Sequence, residues 1–321
     1  MPSPTFAPTK ISIEFRGVTY GVNGTTSRAE DPVRQRESTP ENGSRIPEHL
    51  THSGGVPEAR NAAGGARVLI ADVSLEILCG ETVVLLGRSG SGKTTLLRLI
   101  NRMLEPTAGK VLVEGRATTE WDAFKLRRGI GYVIQEAGLF PHFTVAENIA
   151  LVPTLEKWNA ARIAARIQEL LQLVGLGGQD FAARYPRQLS GGQRQRVGVA
   201  RALAADPQIL LMDEPFGALD PVTRAELQRE FGALAKRLGK TIVFVTHDLR
   251  EALLLATRIV LLEHGKIVAQ ETPEAFLQHA HPEVRAFASC LDTEDDATET
   301  AAWETSAREE FPRGAGGAKS A

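Results

Sequence analysis

The feature that most constrains this chain is a glycine-rich stretch, Gly87–Thr95, that fits the pattern G-x-x-x-x-G-K-[ST]. The apolar run 83–86 precedes it and predicts a buried strand, and apolar residues at near-helical spacing follow it. Between a strand and a helix, such a loop binds a polyphosphate, because backbone N–H groups and the positive end of the helix dipole point at the anion. We expect a phosphate-binding loop made by Gly87, Ser89, Gly90, Gly92, Lys93, Thr94 and Thr95.

Two side chains of this loop have chemistry of their own. The Lys93 ammonium can reach the β- and γ-phosphates of a nucleotide, and the Thr94 hydroxyl can ligate Mg²⁺. The alternative interpretation is an ordinary glycine-rich turn. The strand and the helix on either side argue against that alternative.

Composition narrows the classes of protein that this chain can belong to. Its 321 residues carry a formal net charge of −2, which gives no electrostatic footprint for nucleic acid. No apolar run in the sequence approaches the roughly 18–20 residues that cross a bilayer, and the N-terminal residues lack the pattern of a secretion signal. Cys79 and Cys290 lie far apart and suggest neither a disulfide framework nor a metal site. We therefore expect a cytoplasmic location.

The chain divides into one ordered region and two polar segments. Residues 1–20 and 67–288 are expected to form one folded domain, since apolar patterns recur throughout them. Residues 21–66 are rich in Gly, Pro, Ser, Thr, Asn, Arg and Glu, which predicts a disordered insertion rather than a small folded module. Residues 289–321 turn acidic and then rich in Gly and Ala, as in a frayed tail.

Apolar patterns within the ordered region predict its elements. Residues 144–176 have a helical pattern that starts at a capping box, Thr144–Glu147, and with the residues up to about 204 they predict a helical subdomain inserted between strands. The predicted strands are 11–20, 73–77, 83–86, 111–115, 130–134, 209–212 and 242–245, with a hairpin at 258–262 and 266–269.

A second chemical feature is the apolar strand 209–212, which ends in Asp213 and Glu214. In a protein with a phosphate loop, an acid at this point holds Mg²⁺ through water, which suits Asp213. Glu214 is then placed to accept a proton from an attacking water. The alternative is a pair of acids that simply face solvent at a strand end.

A third feature is Leu189–Gln193, which precedes an amphipathic helix. Ser190 can cap that helix, and the paired glycines expose backbone N–H groups to an anion. A plain capped helix would also fit the pattern. That alternative leaves a second anion-binding helix start in one chain unexplained.

These motifs together resemble the ATP-binding subunits of ABC transporters over about residues 11–20 and 68–288, and Leu189–Gln193 matches the signature sequence of that family. The resemblance implies an α/β fold: a P-loop NTPase core with a mainly parallel sheet, an antiparallel β subdomain and an inserted helical subdomain. It also implies an ATP hydrolase that uses ATP and Mg²⁺.

The same resemblance assigns roles to further positions. Gln135 matches the Q-loop glutamine that contacts Mg²⁺ or water and senses the permease. Residues Gly217–Asp220 match the D-loop, of which Asp220 is the last residue. His247 matches the switch histidine that contacts the γ-phosphate. Tyr20 matches the aromatic residue that stacks on adenine, with local packing at the strand end as the alternative.

The resemblance further implies partners. Two subunits form a homodimer that holds two ATP molecules head to tail, each between the phosphate loop of one copy and Ser190, Gly191, Gly192 and Gln193 of the other. Transmembrane permease subunits are separate chains that dock near the Q-loop, and a substrate-binding protein acts through them. The subunit is then expected to be peripheral on the inner face of the cell membrane.

The segment 130–153, followed by Lys157 and Trp158, is similar to importers of glycine betaine, choline, carnitine and other quaternary-amine osmoprotectants. Importers of other small solutes and lipid-transport complexes are the alternatives. An ABC ATPase that acts on DNA is disfavoured, because the interval from Lys93 to Ser190 has no heptad pattern. A ribosome-binding factor would need two sets of motifs, and an inactive binding module would not need Lys93, Asp213, Glu214 and His247.

Overall fold

The computed structural model of the chain describes residues 10–22, 67–135, 137–289 and 291. The predicted insertion lies outside the described residues from 23 to 66, and so does the predicted tail apart from residues 289 and 291. The strands in the described ranges are β1 (Ile11–Val22), β2 (Arg67–Leu78), β3 (Thr82–Leu86), β4 (Ala108–Val113), β5 (Arg116–Ala117), β6 (Ile130–Val133), β7 (Ile209–Asp213), β8 (Thr241–Thr246), β9 (Arg258–Glu263) and β10 (Lys266–Glu271). The α-helices up to residue 276 are α1 (Lys93–Ile100), α2 (Ala123–Arg128), α3 (Val145–Leu155), α4 (Ala160–Leu173), α5 (Gln179–Ala182), α6 (Gly191–Leu203), α7 (Pro221–Leu238), α8 (Leu249–Leu255) and α9 (Pro273–Phe276).

The strands form two sheets. The larger sheet has six strands in the order β10-β9-β3-β8-β7-β6, all parallel except β10, which pairs antiparallel with β9. The smaller sheet has four antiparallel strands in the order β2-β1-β4-β5. Together with the helices inserted between β6 and β7, this architecture confirms the predicted fold class.

The central parallel strands are buried on both faces, and alternate residues enter different cores. Val84 and Leu86 of β3 pack with the helices on one side, including α6 and α7. Val83 and Leu85 pack with α1 and the antiparallel sheet on the other side. Residues 83–86 are all apolar because both faces of this strand pack against apolar residues.

The inserted helical region differs from the sequence expectation in one respect. The predicted capping box at α3 is present, with Thr144 and Glu147 bonding each other's backbone N–H groups. The helical pattern over 144–176 is, however, two helices, because α3 ends at Leu155 and α4 starts at Ala160, after a new N-cap at Asn159. The Asn159 side chain accepts a hydrogen bond of 2.8 Å from the Arg162 N–H, which caps the second helix.

The first strand extends further than its alternation predicted. Gly21 and Val22, expected at the start of the insertion, belong to β1, where Gly21 pairs with Val68 and Val22 with Arg67. These two additional residue pairs join segments that are distant in sequence, so the polar composition near Gly21 does not predict them. Residues 23–66 thus connect two adjacent antiparallel strand ends.

A C-terminal helix over residues 282–289 was not predicted. Val284 of this helix is fully buried, and Glu283 forms an ion pair of 2.5 Å with Arg88 of the phosphate loop. Helix 282–289 is therefore packed on the domain at the side of the candidate site.

Candidate functional site

The candidate site lies where three neighbouring parallel strands end. β3, β8 and β7 are adjacent in the sheet, so their carboxyl ends meet at one edge. The phosphate loop follows β3, Asp213 is the last residue of β7, and His247 follows β8. Ligands of α/β proteins bind at this kind of edge.

The phosphate loop adopts backbone conformations that require glycine at two positions. A Cβ on Gly87 would lie 2.4 Å from the carbonyl oxygen of Leu262, and Gly87 has a φ of +154°. A Cβ on Gly92, with φ +106°, would lie 2.5 Å from the Ile70 side chain. At Gly90, with φ +79°, a Cβ would meet no described atom within 4 Å, so this side of the loop is open.

Lys93 is held inside the loop that precedes it. Only 5% of Lys93 is exposed, and its Nζ donates hydrogen bonds of 2.6 Å to the Gly87 carbonyl and 2.9 Å to the Arg88 carbonyl. Burial lowers the pKa of Lys93, while the carboxylates of Glu214 and Asp213 act in the opposite direction. An anion bound in the loop would offset the cost of burying this ammonium.

The loop also contains a buried hydroxyl. The Ser91 Oγ is buried with no hydrogen-bond partner among the described residues. A buried polar atom in this state costs free energy unless something pairs with it. Its place in the loop fits an oxygen-rich ligand.

A hydroxyl and a carboxylate meet beside the loop. Thr94 Oγ1 donates a 2.9 Å hydrogen bond to Asp213 Oδ1, and the Tyr132 hydroxyl donates one of 3.4 Å to Asp213 Oδ2. Burial raises the pKa of Asp213, against the hydrogen bonds from Thr94 and Tyr132, and burial also raises the pKa of Tyr132 to about 12. Hard oxygen donors of this kind suit Mg²⁺, which keeps several of its waters.

The second carboxylate points to the histidine. Glu214 Oε2 lies 3.1 Å from His247 Nδ1, and 62% of the His247 side chain is exposed. Glu214 has φ +43°, a left-handed conformation that is uncommon for this residue type. Its N–H donates to the Val245 carbonyl at 3.1 Å, so neighbouring β8 holds it in place. Unusual backbone conformations of this kind cluster at functional sites.

The predicted Q-loop and D-loop residues are neighbours. Gln135 is exposed just after β6, and a Cβ on Gly217 would lie 3.3 Å from its Nε2. Asp220 caps α7 by accepting a 3.0 Å hydrogen bond from the Thr223 N–H. The role of Gln135 and Asp220 toward a ligand stays a prediction.

The predicted signature lies against the D-loop and α7. Ser190 and Gln193 form a capping box at the start of α6, as the sequence indicated for Ser190. A Cβ on Gly191 would lie 3.4 Å from Leu219, and one on Gly192 would lie 2.7 Å from Thr223. These contacts place the signature beside the D-loop, whereas Lys93 and Asp213 lie at the sheet edge.

Tyr20 is half-buried near the end of β1. It packs against the core of the antiparallel sheet and pairs with Ile70 in the strand register. Both the adenine-stacking role and the local-packing alternative are compatible with this position. The stacking role stays a prediction.

The sequence interpretation missed two side chains behind the site. Tyr132 was treated only as part of a strand, although its hydroxyl contacts Asp213. Glu251 is 5% exposed on α8 and bonds the residue before His247. A charged residue on the apolar face of α8, beside Ala252 and Leu255, was a signal that could have found it.

Comparison with known proteins gives consistent matches. Residues 70–217 match the family described as ABC transporter. The choline transport ATP-binding protein OpuBA of Bacillus subtilis (strain 168) is 53% identical over 215 residues, covering 67% of this chain and 56% of that protein. The glycine betaine uptake system ATP-binding protein YehX of Escherichia coli (strain K12) is 54% identical over 224 residues, covering 70% of this chain and 72% of that protein.

A solved structure matches as well. The dimeric post-hydrolysis state of the ATP-binding cassette MJ0796 bound to ADP and phosphate aligns with a TM-score of 0.62 at 30% identity, covering 81% of this chain and 98% of that chain. The present chain spans little more than half the length of OpuBA, at 56%.

Proposed function

The chain belongs to the ABC transporter family, and from that premise we propose that it binds and hydrolyses ATP to energise import through a separate membrane permease. The observation that carries the proposal is the meeting of Lys93, Thr94, Asp213, Glu214 and His247 at one edge of the sheet. Phosphate binding, hard-oxygen ligation and proton acceptance are thereby brought together.

Each of these residues has a role in the proposed reaction. Lys93 and the backbone N–H groups of its loop bind the β- and γ-phosphates. Glu214 accepts the proton of the attacking water, and His247, 3.1 Å away, contacts the γ-phosphate. Thr94 and, through water, Asp213 would hold Mg²⁺, which when bound neutralises charge on the phosphates.

The active form that we propose is a homodimer with ATP between its subunits. The Ser190 helix start and the Lys93 loop are separate anion-binding elements of one chain, which is expected if each serves a different composite site. The similar cassette of known structure is itself a dimer bound to ADP and phosphate. Hydrolysis would then release the two subunits, giving a two-state switch.

We propose further that the permease docks near Gln135 and that the transported solutes are quaternary amines. None of the helices in the described ranges is long and apolar enough to cross a bilayer. The names of the relatives OpuBA and YehX state choline transport and glycine betaine uptake. Uptake of labelled glycine betaine and of labelled choline by cells that express the chain together with its permease tests the solute class, and uptake of neither solute would refute it.

The hydrolysis proposal is tested with Glu214→Gln. We expect this variant to bind ATP, to lose turnover by about 100-fold or more because the proton acceptor is gone, and to accumulate as an ATP-bound dimer. Phosphate release and size-exclusion chromatography with ATP and Mg²⁺ measure both effects.

Lys93→Ala is the matched control for this experiment. It should lose nucleotide binding and therefore show neither turnover nor the ATP-dependent dimer. A Glu214→Gln variant that hydrolyses ATP at the parent rate, or that stays monomeric in ATP, would refute the role of the glutamate or the dimer respectively.

A further inference from the structure

The buried carboxylate of Glu251 on α8 lies just behind the candidate site. Thr246 Oγ1 donates a 2.5 Å hydrogen bond to Glu251 Oε2, and Gln228 Nε2 donates one of 2.7 Å to Glu251 Oε1. A buried carboxylate is tolerated only when its oxygens have such partners. Both oxygens of Glu251 are therefore occupied by groups from two other elements.

The first of these contacts leads to the switch histidine. Thr246 is the last residue of β8, and its Oγ1 also accepts a 3.0 Å hydrogen bond from the Asp248 N–H. Asp248 in turn accepts a 2.7 Å hydrogen bond from the Arg250 N–H at the start of α8. The Glu251 carboxylate thus fixes the backbone on both sides of His247.

The second contact leads to the D-loop. Gln228 lies on α7, and one turn earlier on the same helix Arg224 donates to the carbonyls of Leu219 at 3.1 Å and Gly217 at 3.4 Å. Helix α7 is therefore bound to the D-loop at one turn and to Glu251 at the next.

A small cavity of about 40 Å³ joins the same groups. Its lining consists of Glu214, Gly217, Arg224, Thr246, His247, Asp248 and Glu251. Gly217 of the D-loop and the loop that carries His247 therefore border the same small space.

We propose that Glu251 is a positioning residue that holds the His247 loop in register with the D-loop. This inference rests on the proposed function, in which His247 contacts the γ-phosphate. The two carboxylate oxygens of Glu251 accept hydrogen bonds from protein side chains, those of Thr246 and Gln228. Glu251 sets the orientation of His247 toward Glu214 and couples that orientation, through Gln228 and α7, to the D-loop.

Three variants test this role in the full chain. Glu251→Leu removes both hydrogen bonds, and Thr246→Val removes only the hydroxyl. Glu251→Gln keeps both bonds, since its amide can accept from Thr246 and donate to the Gln228 oxygen after that side chain rotates. Glu226→Leu, an exposed glutamate on α7, is the matched control.

We expect Glu251→Leu and Thr246→Val to lower kcat about tenfold while KM for ATP changes less than about twofold, because the phosphate loop is untouched. Glu251→Gln should keep kcat within about threefold of the parent. The double variant, Glu251→Leu with Thr246→Val, should be no slower than Glu251→Leu alone. The imidazole NMR resonances of His247 should move in the Leu and Val variants and stay in place in Glu226→Leu.

The outcomes separate the two proposals. Folded Glu251→Leu and Thr246→Val with parental kcat and unchanged His247 resonances would overturn the positioning role. If Glu251→Leu does not fold, kcat and the His247 resonances of Thr246→Val alone test the positioning role. A parent chain without ATP turnover would refute the proposed function instead, and the His247 resonances would still report on whether Glu251 positions the ring.

Discussion

At the residue scale, Glu251 shows how burial and hydrogen bonding act against each other. Burial raises the pKa of the Glu251 carboxyl, and the hydrogen bonds from Thr246 and Gln228 act in the opposite direction. A carboxyl whose pKa is higher in the folded than in the unfolded chain stabilises the fold at low pH. That contribution is lost as the pH rises through the folded pKa.

We therefore expect Glu251→Gln to raise the free energy of unfolding at neutral pH by about 1 kcal/mol, because it removes the buried charge and keeps both hydrogen bonds. Urea denaturation at about pH 7.5 and about pH 5 measures the effect, and the gain should shrink at the lower pH. Glu226→Gln at an exposed position should change neither value. A gain that is equal at both pH values would show that ionisation is not its cause.

At the element scale, two helices begin with the same capping box and are predicted to differ in function. Thr144 and Glu147 cap α3, and Ser190 and Gln193 cap α6. Thr144→Ala and Ser190→Ala should each cost about 1 kcal/mol of stability, which chemical denaturation measures. Only Ser190→Ala should also weaken the ATP-dependent dimer in the Glu214→Gln background, because only Ser190 is proposed to face the partner's nucleotide.

The pair of variants provides its own control. An equal loss of the dimer in Thr144→Ala would mean that general weakening of the helical region is responsible. No loss in either variant would remove Ser190 from the proposed nucleotide site while leaving its capping role intact.

At the scale of the whole molecule, the polar segment 23–66 connects strand ends that already pair. Val22 lies opposite Arg67, so an Asn-Gly turn could join them directly. We expect replacement of 23–66 by Asn-Gly to leave ATP turnover unchanged and to raise stability by up to roughly 2 kcal/mol, since a shorter loop costs less closure entropy. Thermal unfolding and phosphate release measure both. A loss of fold or of turnover would show that 23–66 contributes to the domain.

Local sequence was sufficient to predict much of the fold and part of the candidate site. The phosphate loop and the capping boxes depend on residues within a few positions of each other, so the sequence alone is enough to recognise them. Strands buried on both faces are continuous apolar runs, and the carboxyl ends of parallel strands share an edge. From these facts the meeting of Lys93, Asp213 and His247 could be anticipated.

Contacts between distant segments depended on the folded arrangement. The extension of β1 to Val22 comes from pairing with Arg67, the break after Leu155 from a new cap at Asn159, and the Glu251 contacts from packing of α7 and α8 against the end of β8. Composition and periodicity describe each segment by itself. The partner of a buried polar atom is set by which segments pack together, and that becomes visible only in three dimensions.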